Sequence, residues 1–115
     1  MNSGISELHE MLLEFRDRRN WKRFHTPRNL AMSVSIESAE LLELFQWKSD
    51  EDIEKTRADD DFVAAAGDEI ADVLIYLVLL AGELGIDPIA AAQTKIAKNE
   101  QRFPPEKPTD GGDER

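Results

Sequence analysis

The chain has 115 residues, 41% of them apolar and 33% charged, and a formal net charge of −10. That suffices for one domain, is too apolar for a chain disordered throughout, and is too acidic to attract a nucleic-acid backbone or an anionic membrane surface. There is no cysteine, which excludes disulfides, zinc-thiolate sites and thiol nucleophiles and fits a reducing compartment.

The first residues, MNSGISELHE, carry acids early and lack a basic flank before an apolar stretch, so they do not read as a secretory signal and the expected location is the cytoplasm. Ile5, Leu8, Leu12, Phe15 and Arg19 recur every three or four positions, which predicts a first helix from about Ser6 to Trp21, with His9 solvated near its start. His25, Thr26 and Pro27 break that pattern. Thr26 is a good N-cap and Pro27 suits the first position of a second helix running to about Trp47, with His25 a structural or rim residue beside the cap. The acidic stretch Ser49 to Asp61 is rich in turn and cap formers and predicts a short turn or helical turn.

A third helix is expected from about Asp61 to Leu84, stopping at Gly85; Asp87 and Pro88 then start a fourth, to about Gln101, as an αα-hairpin. Its apolar run, Ile70 to Gly82, is interrupted by Asp72 and is shorter than the roughly 20 residues that cross a bilayer. After Phe103 the composition turns to prolines, glycines and charges. The expected organisation is therefore an all-α, four-helix bundle-type domain over residues 1–103 with a disordered tail over 104–115.

Two acidic pairs carry the chemistry. Glu37 and Glu40 on the second helix, and Glu69 and Asp72 on the third, are each spaced i, i+3, so each pair projects from one helix face. Asp72 lies among Ile70, Ala71, Val73, Leu74 and Ile75, a stretch apolar nearly all round and expected to be buried nearly all round. A buried carboxylate needs a cation, several hydrogen bonds or a proton. Two facing pairs also repel, by about 4 kcal/mol per pair of charges near 4 Å at an effective dielectric near 20. Divalent cations resolve both problems, and all-oxygen ligands favour Mg²⁺, Mn²⁺ or Ca²⁺, of which Mg²⁺ pairs a few carboxylates with phosphate oxygens. Glu43 continues the row and fits a general base, an outer ligand or a solvated acid. A ferritin-like di-iron site is excluded by its need for a histidine three residues after a ligand glutamate, since neither His9 nor His25 stands there.

With Glu37-x-x-Glu40 and Glu69-x-x-Asp72 in place, the sequence resembles the MazG-like, all-α nucleoside triphosphate pyrophosphatase superfamily. The segments Phe15–Trp21, Phe24–Leu30, Glu43–Lys48 and Asp72–Leu77 are similar to its dCTP pyrophosphatase branch, and the likeness runs from Phe15 to Pro104. The resemblance implies Mg²⁺-dependent hydrolysis of a (deoxy)nucleoside triphosphate to the monophosphate and pyrophosphate, with Glu37, Glu40, Glu69 and Asp72 as metal ligands. It implies that Trp21, Trp47 and Tyr76 lie around the nucleotide and that Lys95, Asn99 and Arg102 lie near its triphosphate or sugar. Spacing alone favours the three aromatics as core residues; the family likeness reverses that. One departure bears on specificity, because relatives place a histidine where this chain has Leu12.

No covalent nucleophile is needed for such a reaction: a metal-activated water attacks the α-phosphorus, and Glu40 or Glu43 is positioned to orient or deprotonate it. The second and third helices are apolar on more than one face, which predicts a homo-oligomer, and the branch resemblance implies a tetramer built as a dimer of dimers. The reading from another class is a non-catalytic helical module whose acids bind a structural cation or a basic partner.

Overall fold

Four of the helices begin at a residue whose side chain accepts bonds from the first unpaired backbone N–H groups. The computed structural model describes residues 3–106 as α1 (Ser3–Arg18), a 3-10 turn (Lys22–Phe24), α2 (Pro27–Glu43), α3 (Asp50–Thr56), α4 (Asp60–Glu83) and α5 (Pro88–Arg102), with no strand among them. Thr26 Oγ1 accepts from the Asn29 N–H at 3.2 Å, and Pro27 occupies the first turn of α2 as expected. Ser49 and Asp52 form a reciprocal capping box that turns the acidic stretch into α3. Asp59 caps α4 through the N–H groups of Asp61 and Phe62, and Asp87 caps α5 through those of Ile89 and Ala90.

Two helix ends share one device. Trp21 N–H bonds to Arg16 O and Asn20 N–H to Asp17 O, with Asn20 in the left-handed region at φ 57°. Ile86 N–H bonds to Ala81 O and Gly85 N–H to Gly82 O, with Gly85 at φ 66°. Both are Schellman caps. The first stops α1 at Arg18, three residues before the expected Trp21, because asparagine tolerates the left-handed conformation that ends a helix. α2 stops at Glu43, not Trp47; Leu44 to Trp47 form turns, and Trp47 itself has φ 66°.

α4 is the central helix, with α1 and α2 packed against it, and the buried apolar residues are Leu30, Val78, Leu79 and Ala81. His9, expected to be solvated, is half-buried where α1 crosses α4: a Cβ on Gly82 would collide with its ring. The expected αα-hairpin is not formed. α5 leaves α4 at 96° and has no buried residue, since no other described helix lies where it could pack. α4 is also not covered all round, since Val63, Ile70, Leu74 and Leu77 are exposed, as are Met32, Ile36 and Leu42 on α2. No single described helix is long and apolar enough to cross a membrane. Of the tail expected from residue 104, positions 107–115 lie outside the described residues.

Candidate metal centre and adjoining cleft

The packing of α2 on α4 brings Glu37, Glu40 and Glu69 together, with one carboxylate oxygen of each within 4.8 Å of the others. Glu37 Oε2 and Glu69 Oε2 are buried and have no hydrogen-bond partner. Burial, then hydrogen bonding and charge from Glu40, then the charges of Asp72 and Glu69, push the Glu37 carboxyl up to about 7. Glu69 is raised as well, by burial first and then by Glu40 and Asp72. Carboxylates at this spacing with two buried oxygens unpaired could hold a hard cation, and the all-oxygen donor set fits Mg²⁺ or Mn²⁺. Asp72, one turn beyond Glu69, is half-buried, not buried nearly all round, and lies outside the three-oxygen cluster while contributing charge to it. The reason is a cleft that opens beside it.

That cleft, of about 440 Å³, lies between α1 and α4, and Leu12, Phe15, Arg16, Trp21, Asp72 and Tyr76 are among the side chains lining it. Phe15 and Trp21 meet edge to face with ring centroids 5.9 Å apart. Burial, then the charges of Glu37 and Asp72, raise the Tyr76 phenol, which ties the cleft electrostatically to the carboxylates. Arg16 is the buried charged residue here, 5% exposed, with Nε donating to Asp17 at 2.9 Å and Nη1 to Glu83 at 3.2 Å. His25 also lines the cleft, its pKa lowered by burial and by Arg16. A concave apolar site with few convergent polar groups is the form of a small-molecule ligand site, and Asp72 links it to the acidic cluster.

Residues 32–111, which include all four motif acids, match the MazG-like family. The chain belongs to that family. It is similar to dCTP pyrophosphatase 1 of Rattus norvegicus, with 40% identity over 100 residues covering 87% of this chain and 59% of the relative. The human dCTP pyrophosphatase 1 is 38% identical over the same shares. The chain thus spans under two thirds of the length of these relatives. Among solved structures it is similar to a pyrophosphatase from Archaeoglobus fulgidus, with a TM-score of 0.82 and 44% identity, covering 91% of this chain and 96% of that one.

Within this MazG-like chain the other expected site residues are scattered. Glu43 is exposed on the last turn of α2, outside the cluster. Trp47 is 94% exposed and, unlike Trp21 and Tyr76, does not line the cleft. Lys95, Asn99 and Arg102 lie on α5, away from the cleft; Lys95 borders a shallow depression with Ile86 and Lys98. Sequence reading passed over Arg16 by placing Arg19 on the inner stripe of α1. Arg16 stands four residues after Leu12, and that i, i+4 spacing was the available signal; Arg19 instead lies over the outer face of Phe15, 3.4 Å from its centroid.

Proposed function

We propose that this chain is a nucleoside triphosphate pyrophosphohydrolase that converts a deoxynucleoside triphosphate of the dCTP kind and water to the monophosphate and pyrophosphate. The observation that carries the reading is the pair of unpaired buried oxygens, on Glu37 and Glu69, beside a cleft of nucleotide size. Family membership and the likeness to dCTP pyrophosphatases support the reaction class.

Glu37, Glu40, Glu69 and Asp72 would hold Mg²⁺, with Mn²⁺ as a substitute. When bound, the cation supplies neutralisation of phosphate charge and a lowered pKa for a coordinated water. Glu40 is the most exposed member of the three-oxygen cluster, so it faces the side from which water and phosphate arrive. In the proposed step the water oxygen forms the new bond to the α-phosphorus, the bond from that phosphorus to the bridging oxygen breaks, and Glu40 takes the water proton, with Glu43 as an outer carboxylate. Trp21 and Tyr76 flank the nucleoside in the cleft, with bases tolerant of stacking on either ring. Trp47, Lys95, Asn99 and Arg102 take a part by facing the site of another copy, in a tetramer made of two dimers. The exposed apolar residues of α2 and α4 favour such an assembly. The expected location remains the cytoplasm.

The test is incubation with dCTP, dATP, dTTP and dUTP plus Mg²⁺, with products separated by ion exchange. The reading expects monophosphate and pyrophosphate, lost on chelation, and a fall of about 10²-fold or more in kcat for Glu40→Gln. Absence of turnover for every nucleotide would instead favour a non-catalytic helical module, and release of single phosphate would mean attack at the γ position.

A further inference from the structure

The cleft is read above as the seat of the nucleoside, and one charged group lining it, Arg16, has no part in the phosphate chemistry proposed above. Arg16 is buried among Leu8, Leu12, Phe15 and Leu79, yet it is not consumed by its own ion pairs. Its Nε proton goes to Asp17 and one Nη1 proton to Glu83, so Nη2 and the second Nη1 proton are left without a bond from any described residue. Neighbouring N–H groups of a guanidinium have a spacing that matches two adjacent acceptors in one plane. The paired carboxylates hold that fork in place, so its direction is set before any ligand arrives.

The position of Arg16 along the cleft also fits. Its partner Glu83 stands eleven residues after Asp72 on α4, which at 1.5 Å per residue puts the two about 16 Å apart along the helix, with Tyr76 between them. Arg16 is therefore remote from the end where phosphate meets the carboxylates and sits where the far edge of a base would come. His25, the neighbouring polar group, has its pKa lowered by burial and by Arg16, and the cationic donor at that end is the guanidinium, held beside the carboxylates of Asp17 and Glu83.

We propose that Arg16 reads the base, its free prongs donating to O2 and N3 of cytosine. The O2–C2–N3 edge of cytosine presents two neighbouring acceptors in the manner of a carboxylate, which is the chemistry Arg16 already makes with Asp17 and Glu83. Uracil has the same size and shape but carries a proton at N3, which sets donor against donor and leaves a buried N–H unpaired. Leu12, one turn before Arg16, offers the base only apolar contact, so discrimination passes to the arginine. The inference rests on the nucleotide reading, and its test separates the two.

Rates with dCTP and dUTP are compared for the unmodified chain and for Arg16→Met, Arg16→Lys and the double variant Arg16→Met with Glu83→Gln, which avoids a buried unpaired acid. In parallel, Trp21 fluorescence is titrated with dCMP and dUMP, a readout that needs no hydrolysis. The unmodified chain should prefer dCTP in kcat/KM by about tenfold or more, and both methionine variants should reduce that ratio by about tenfold. Arg16→Lys, which keeps the charge without the fork, should not restore it. Hydrolysis of dCTP and dUTP at equal rates, or a preference that survives in the folded double variant, would overturn the proposal while leaving the pyrophosphohydrolase reading intact. Absence of hydrolysis with dCMP still preferred over dUMP by fluorescence would do the reverse.

Discussion

Glu37 and Glu69 each bury a carboxylate oxygen that no described residue satisfies, and at neutral pH that arrangement works against folding unless a cation is present. The sign follows from the raised value of Glu37, about 7 against an ordinary 4.5. The folded state holds that proton more tightly, so the contribution favours folding below the ordinary value and is lost as pH climbs through about 7. Without metal, Glu37→Gln should therefore melt near the unmodified chain at about pH 5 and above it at about pH 8. Mg²⁺ should raise the Tm of the unmodified chain more at about pH 8 than at about pH 6, and should raise that of Glu37→Gln much less; thermal melts at the two pH values with and without Mg²⁺ check this. Of this site, the i, i+3 pairs were legible because helix periodicity alone puts such acids on one face. The depth of each acid was not, since burial depends on which helices pass over it. Asp72 looked the most deeply embedded from its neighbours in sequence, but α1 leaves a cleft beside it, and the orphaned oxygens belong to Glu37 and Glu69.

At the scale of elements, two glycines of α4's C-terminal turn do different work. Gly82 admits the ring of His9, so Gly82→Ala must displace that ring from its place between α1 and α4 and should cost about 1–3 kcal/mol of stability. Gly85 has open space around it and φ 66°, so Gly85→Ala should cost about 1–2 kcal/mol through the backbone alone. Denaturant unfolding gives both values, and only Gly82→Ala should also weaken nucleotide-dependent quenching of Trp21, because only it disturbs the wall of the cleft. The helix starts at Pro27, Asp60 and Pro88 were readable because Thr26, Asp59 and Asp87 are local signals that act within one turn. The stops of α1 and α2 were less so. Asn20 and Trp47 in left-handed geometry are choices of the chain that composition does not announce, and the 96° departure of α5 depends on what that helix has to pack against.

A chain of this length would have a radius of gyration of about 13 Å if it were as compact as an average single domain, whereas this one measures 17.8 Å. With four apolar residues buried among those described and an apolar stripe exposed on each of α2 and α4, the single chain leaves much of its hydrophobic surface unused. Light scattering should accordingly find a particle four times the mass of one chain, and Leu74→Glu, on the exposed face of α4, should lower that mass; a monomeric unmodified chain would contradict the assembly. The excess of apolar surface on α4 was visible in the all-round apolar character of the third predicted helix, while the projecting α5 was visible only in three dimensions. The proposed function is attack by water at the α-phosphorus of a nucleotide held beside the carboxylates of α2 and α4. Turnover of dCTP in ¹⁸O-labelled water tests this most directly: the account predicts one labelled oxygen in the dCMP and none in the pyrophosphate, and label in the pyrophosphate or in inorganic phosphate would contradict it.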